Sequence, residues 1–175
     1  MNTPAPNPEG TRAWTLQTLR ADHAPALLDF ERRNRAYFAR TVPDRGDAYF
    51  TQFADRHRAL LAEQETGLCR FHVLITREGD LVGRVNLLDI EDGSAELGYR
   101  IGQNAAGRGL ATAAVAEICR VAQTAYGLTR LTAVTTLDNP GSLTVLRRGG
   151  FTQVEAMTVD GRPGIRHERP LTPAN

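Results

Sequence analysis

From position 94 to 112 the chain reads Ser-Ala-Glu-Leu-Gly-Tyr-Arg-Ile-Gly-Gln-Asn-Ala-Ala-Gly-Arg-Gly-Leu-Ala-Thr, and this stretch limits the possible folds more than any other. Its first half alternates. Ala95, Leu97, Tyr99 and Ile101 fall on one face, Glu96, Gly98 and Arg100 on the other, which is the period of a strand. Its second half is a glycine turn, Gly107-Arg108-Gly109, opening into an alanine-rich helix. Glycine lets backbone approach a ligand closely, and the first N–H groups of a helix have no intrahelical partner. Strand, glycine turn and helix N-terminus together make an anion site, most often for a phosphate or pyrophosphate.

Two common phosphate motifs do not fit. A dinucleotide fingerprint needs G-x-G-x-x-G and an acidic residue about 20 positions on, after a second strand. Here Thr112 stands at the last glycine, and the nearest acid, Asp138, falls in a turn. A P-loop needs Gly-Lys-Ser/Thr, which is absent. An ordinary glycine turn before a core helix is the remaining plain alternative.

At 175 residues and 41% hydrophobic content, one domain with a real core is expected. Positions 1–10 are polar and proline-rich without an apolar block, so they read as a disordered tail before a single domain at 11–175. No apolar run approaches the roughly 18 residues of a membrane span. A formal net charge of +1 argues against strong attraction to nucleic acid or an anionic membrane. Every basic residue is arginine. Cys69 and Cys119 lie in apolar patterns and read as reduced core residues, with the cytosol as default compartment. His23, His57, His72 and His167 lack zinc-ligand spacing, so no metal is expected.

In chain order, a first strand is expected at 13–19. A helix follows, with Asp22 as N-cap, Pro25 in its first turn and Ala26, Leu27 and Phe30 on its inner side. Val42-Pro43-Asp44-Arg45-Gly46 breaks it, and a second helix is expected at 47–63. Tyr37 and Phe38, among the arginines and aromatics of this region, are candidates for a substrate-facing wall, as is Asn86 further on. Strands at 70–76 and 81–90 flank a turn at 77–80. After the strand and glycine turn, the helix to about 126 should bury Leu110, Ala111, Ala114, Val115, Ile118, Val121, Ala122 and Ala125. Gly127 ends it as a left-handed cap. A strand at 128–137, with Leu131, Ala133 and Leu137 in phase, gives a strand–helix–strand crossover. That places one parallel pair in an otherwise antiparallel sheet. A short helix at 142–148 and a hairpin about Asp160-Gly161 complete the chain.

The motif Asn139-Pro140-Gly141-Ser142-Leu143-Thr144-Val145-Leu146-Arg147-Arg148-Gly149-Gly150-Phe151 resembles the Asn-x-x-Ser-x-x-Val-Leu-x-x-x-Gly-Phe signature of the RimJ/RimL branch of the GNAT N-acetyltransferases. Glu96-Leu97-Gly98-Tyr99-Arg100-Ile101 is similar to the same branch, although an aromatic is common where Arg100 stands. The glycine turn resembles the family's Gln/Arg-x-x-Gly-x-Gly/Ala coenzyme A site, with Gly109 and Ala111 in its last positions and Ala106 departing at its first. Leu146 stands where other members carry a tyrosine acid, and Gly149 where leucine is usual. The element order β-α-α-β-β-β-α-β-α-β-β is the family's. The resemblance therefore implies an α/β fold with a central mixed, mostly antiparallel sheet of about seven strands flanked by four helices.

It also implies chemistry. Acetyl-CoA would lodge its pantetheine along the backbone of Tyr99, Arg100 and Ile101 by strand addition. Its pyrophosphate would meet the amides of Gly107, Arg108, Gly109, Leu110, Ala111 and Thr112. Asn139 would hydrogen-bond the pantetheine. Glu96 occupies the place of a catalytic glutamate in some histone acetyltransferases and is the candidate general base. A carboxylate satisfied by Arg84 or Arg100 is its alternative. Ser142 is the candidate acid for the departing thiolate, or a helix-capping hydroxyl. The acceptor is expected to be a primary amine, first a protein N-terminal α-amine. A polyamine or antibiotic, or a non-catalytic acyl-CoA-binding module, remains open, and so does monomer or homodimer.

Overall fold

The computed structural model describes residues 12–171. The tail expected at 1–10 lies outside them. A seven-stranded sheet in the order β1-β2-β3-β4-β5-β7-β6 organises the chain. Its strands are β1 (Trp14–Thr18), β2 (Arg70–Thr76), β3 (Leu81–Glu91), β4 (Ser94–Ile101), β5 (Arg130–Thr136), β6 (Thr152–Val159) and β7 (Arg162–Pro170). All neighbours are antiparallel except β4 and β5. The crossover between those two is α4 (Leu110–Thr124). This is the mixed α/β sheet that the alternation patterns and the crossover implied.

Alternation along each strand sends side chains into two helical layers. On one face Val85, Leu87, Ala95, Leu97, Leu131 and Ala133 pack on Ala114, Val115, Ile118 and Ala122 of α4 and Leu146 of α5 (Pro140–Arg148). On the other face Phe71 and Val73 meet Leu27, Phe30 and Phe38 of α1 (Ala24–Phe38) and Phe53 of α3 (Phe53–Glu65). Cys69 and Cys119 are free thiols in these cores.

Several expectations need correction. The second helix divides into α2 (Asp47–Thr51) and α3, so the described residues form five α-helices rather than four. The break is at Gln52, whose φ of −102° and ψ of 14° leave the helical well. Two anchors pull on that segment. The Tyr49 hydroxyl lies 3.3 Å from Arg84 of β3. The Gln64 side chain instead fixes α3 to the β1–β2 edge through Leu19 O and Phe71 N. Asp22 does not cap α1. It lies in a 3₁₀ turn, Ala21–His23, and pairs with Arg20. Ala26 and Ala125, expected inside, are exposed, and Leu137 lies past the end of β5 with half its surface in solvent. Gly127 does end α4 with φ of +66°. Asp160 and Gly161 both take positive φ at the β6–β7 turn, as a two-residue hairpin of primed type requires.

Gly149 has a steric reason. A Cβ there would stand 2.8 Å from Val115 Cγ1 and 3.2 Å from the Val145 carbonyl oxygen. Close α4–α5 packing excludes the leucine usual in the resembling signature. Gly149→Leu is expected to destabilise the fold by ~1–3 kcal/mol through overpacking. Chemical denaturation should show a lower midpoint at unchanged slope.

Candidate active site

β4 and β5 pair only at Ser94–Arg130, Ala95–Leu131 and Glu96–Thr132. Past that rung they part. Each is still held from its far side, β4 by β3 as far as Ile101–Gly83 and β5 by β7 as far as Thr136–Gly164. The facing edges are therefore open backbone in a rigid frame, suited to accept an extended ligand between them. A cleft of about 680 Å³ occupies the gap. Arg162 ties its rim together, donating to Asp138 Oδ2 at 3.0 Å and to the Thr41 carbonyl at 2.9 Å.

One end of the cleft is the N-terminus of α4. Gly107 and Gly109 line it with φ of +73° and +77°. A Cβ built on either meets nothing within 4 Å, so the backbone faces open space. The Ala113 N–H makes a helical bond back to Gly109 O. The N–H groups of Leu110, Ala111 and Thr112 precede it and have no intrahelical acceptor. No side chain caps this terminus and its first turn carries no acid. Both facts favour an incoming anion.

The middle of the cleft brings Tyr99 of β4 to Ser142 of α5, hydroxyl to hydroxyl at 3.2 Å. Burial raises the Tyr99 pKa, against the opposing pull of the Ser142 bond, so the phenol stays protonated at neutral pH. Ser142 is not the cap of α5. Asn139 is, its Oδ1 accepting from Ser142 N at 3.2 Å. A ligand bond from Asn139 would thus use its Nδ2. Leu146 is fully buried in the core, so that position supplies no acid.

The far end lies beneath α1 and the loop after it. Tyr37, Phe38 and Asn86, the candidates for a substrate wall, line it, together with Arg100, expected along the cofactor. Asn86 Oδ1 is buried and has no hydrogen-bond partner among the described residues. Its pair across the ladder is Gly98, in front of which there is open space. Behind this wall is a group the sequence reasoning missed. Glu31 of α1, 1% exposed, accepts from Arg84 at 2.7 Å and from Arg45 at 3.2 Å, and Arg100 lies 3.6 Å away. Burial works to raise the Glu31 pKa, but the charges of Arg84, Arg45 and Arg100 overcome it and leave it lowered. Arg100 also stacks over Phe38 at 5.0 Å. Burial, with repulsion from Arg45, brings its pKa down to about 10, still a cation at neutral pH. One signal could have found Glu31: a carboxylate on the stripe 27-30-31-34-38, which is otherwise the buried face of α1.

The cleft thus gathers Tyr37, Phe38, Asn86, Tyr99, Arg100, Ile101, Gly107, Gly109, Leu110, Ala111, Thr112, Asn139 and Ser142. Glu96 and Arg108 are not part of its lining. Arg84 and Arg100, considered as partners of Glu96, are committed to Glu31 instead. Glu96 is half-buried at the last β4–β5 rung, on the same face of β4 as Gly98 and Arg100.

An anion cradle, two parted strands and a pair of hydroxyls where they meet form the layout of an acyltransferase that takes a phosphate-bearing thioester. A family model described as an acetyltransferase (GNAT) domain matches residues 14–152, and the chain belongs to that family. GNAT acetyltransferases use acetyl-CoA, and the open cradle and unpaired strand edges fit that molecule. An uncharacterized N-acetyltransferase p20 from Bacillus licheniformis is 31% identical over 84 residues, and the match spans 47% of each chain, about half that relative's length. The ribosomal-protein-S5-alanine acetyltransferase of Vibrio fischeri shares the fold with TM-score 0.83 at 20% identity, over 91% of this chain and 93% of that one. RimJ of Mycobacterium smegmatis, in complex with a CoA-disulfide, does so with TM-score 0.81 at 23% identity, over 90% and 81%. A spermidine N-acetyltransferase of Vibrio cholerae, with CoA and spermine, also shares it, with TM-score 0.75 at 18% identity over 91% and 96%. The fold is thus common to enzymes named for protein and for polyamine acceptors.

Proposed function

We propose that the protein transfers an acetyl group from acetyl-CoA to an α-amine, with a protein N-terminus as acceptor. One observation carries this: Asp160 is the only carboxylate among the described residues that line the cleft. An α-amine of pKa ~8 needs about 1.4 kcal/mol to lose its proton at pH 7, a lysine-like amine of pKa ~10.4 about 4.6 kcal/mol. An acid-poor cleft suits the first. It does not suit a polyamine, whose several ammonium groups need carboxylate partners.

Acetyl-CoA supplies the thioester; the chain's residues do the rest. The amides of Gly107, Gly109, Leu110, Ala111 and Thr112, with Arg108 at the turn, hold the diphosphate. The backbone of Tyr99 to Ile101 and the Asn139 amide hold the pantetheine. Asn86 Oδ1 accepts from the incoming amine and aims its lone pair. The amine proton leaves through water to Glu96, which stands about two residues, ~7 Å, behind Gly98 along β4. Ser142 hands its proton to the departing thiolate and regains one from Tyr99, which takes a proton from water in turn. Alignment of the two reactants in one frame supplies much of the rate.

The test is release of free thiol from acetyl-CoA with three acceptors. A peptide with a free N-terminus should turn over. The same peptide blocked at its N-terminus but carrying lysine should not, and neither should spermidine. Spermidine turnover with an inert peptide would overturn the reading. Under the same assay Ser142→Ala is expected to lower kcat by about 10²-fold, the low end of the range for a positioned proton donor.

A further inference from the structure

We propose that the acceptor carries a carboxylate close to its reacting amine, and that Arg45, Arg84 and Arg100 recognise it. This deepens the α-amine reading and rests on it.

Three guanidiniums surround the single carboxylate of Glu31, so the group holds two uncompensated positive charges. It is built into the fold rather than scattered over its surface. Arg84 is 4% exposed, lines the cleft, and its buried Nε has no hydrogen-bond partner among the described residues. A buried guanidinium N–H without an acceptor is unusual, because desolvating it is costly unless something accepts from it. Arg45 and Arg100 are about one quarter exposed, and both line the same cleft. Each is also pre-oriented on a ring, Arg45 over Tyr49 at 4.6 Å and Arg100 over Phe38 at 5.0 Å. Arg45 spends its Nε and Nη2 on Glu31, which leaves its Nη1 and the Arg100 guanidinium, 3.6 Å from Glu31, to grip a carboxylate.

The position of this group separates it from the cofactor's anion site. It lies under α1 and the following loop, and Asn86 faces Gly98 two residues along β4 from Arg100. The α4 N-terminus is at the other end of the cleft, beyond Ile101. A ligand with an amine at Asn86 and a carboxylate at Arg45 and Arg100 would lie across the acceptor end. Arg40 on the Tyr37 ring, at 5.7 Å, extends the positive wall outward. The same wall repels a polycation, and so discriminates against polyamines by charge as well as by proton affinity.

The experiment compares kcat/KM for three ten-residue peptides that share an N-terminal alanine and differ only at positions two to four, as acidic, neutral or basic. The acidic peptide should exceed the neutral one by about tenfold, chiefly through KM, and the gap should shrink as salt rises. Arg45→Gln and Arg100→Gln should each cut the acidic-to-neutral ratio severalfold. Calorimetry with coenzyme A checks that each variant still folds and binds cofactor. A free acidic dipeptide used as well as the long peptide would support the proposal and place the recognised carboxylate on a small molecule; preference for the long peptide would support it and place the carboxylate on a protein N-terminus. Equal use of acidic, neutral and basic peptides would overturn the inference while leaving the α-amine reading intact. Turnover of spermidine alone would overturn both.

Discussion

Gly109→Val is expected to weaken uptake of coenzyme A by about tenfold or more while the sheet remains folded. Position 109 is the last residue before α4 and has φ of +77°. A β-branched residue there costs on the order of 1–3 kcal/mol of backbone strain. The chain has two ways to respond. It can keep the left-handed turn and bear the strain, with two methyl groups in the open space that faces the cleft. Or it can flip the turn, which aims the N–H groups of residues 109–112 elsewhere. Either response removes the anion cradle, by bulk in the first case and by misaligned donors in the second. If the free chain flips the turn, binding must restore it, and that cost, at 1.4 kcal/mol per tenfold, lowers affinity by roughly 5- to 150-fold. Gly127→Val is the control. Its φ is +66° and its Cβ also meets open space, but it ends α4 at the opposite pole and does not line the cleft. It should show a similar loss of stability in denaturant with coenzyme A affinity unchanged. Titration calorimetry on both variants separates strain from ligand contact. Equal coenzyme A affinity in the Gly109 variant and the parent would remove the cradle from the functional argument.

The contrast between these two glycines shows what a sequence can convey. Both announce a left-handed turn, and local backbone chemistry is enough to read them. The β4 alternation, the α4 stripe, the parallel crossover and the Asp160-Gly161 hairpin were legible for the same reason. Each depends on residues close together in the chain. The misreadings arose where distant segments decide. The Gln52 break answers to Arg84 and to Leu19, from two other elements. Leu137 continues the strand's phase but falls one residue after β5 ends, where the chain turns toward Asn139. Asn139 and Ser142 were both visible as polar residues at a helix start, but only the coordinates assign the cap to the first and a Tyr99 contact to the second. Glu31 was hardest to see. Its partners come from the loop after α1, from β3 and from β4, and no motif links them.

Glu31→Gln is expected to destabilise the fold by ~3–5 kcal/mol, the usual consequence of removing one member of a buried ion pair. Arg84 is the reason. Arg45 and Arg100 are partly exposed and can turn to water, but Arg84 is enclosed and keeps only neutral acceptors, the Tyr49 hydroxyl at 3.3 Å and the new amide oxygen. A buried guanidinium without its counter-charge is what the variant must tolerate. Replacing both members with apolar residues of similar volume, Glu31→Leu with Arg84→Met, removes that burden and should recover most of the loss. Urea denaturation of the single and double variants measures both numbers. Acid should act like the single substitution. The folded pKa of Glu31 is held below its ordinary value of 4.5. Its contribution is therefore full above about 4.5 and disappears as pH falls through the lower, folded value, because the unfolded chain then binds the proton first. The parent protein should lose stability below pH 4.5 more steeply than the double variant, which has no carboxylate at this site to protonate. The double variant also bears on function, since it removes the enclosed Arg84 guanidinium from the acceptor wall, at unchanged net charge and without altering the α4 terminus. It should bind coenzyme A as the parent does and show a smaller preference between acidic and neutral acceptors. A folded double variant with an undiminished acidic preference would mean that the buried pair serves stability alone.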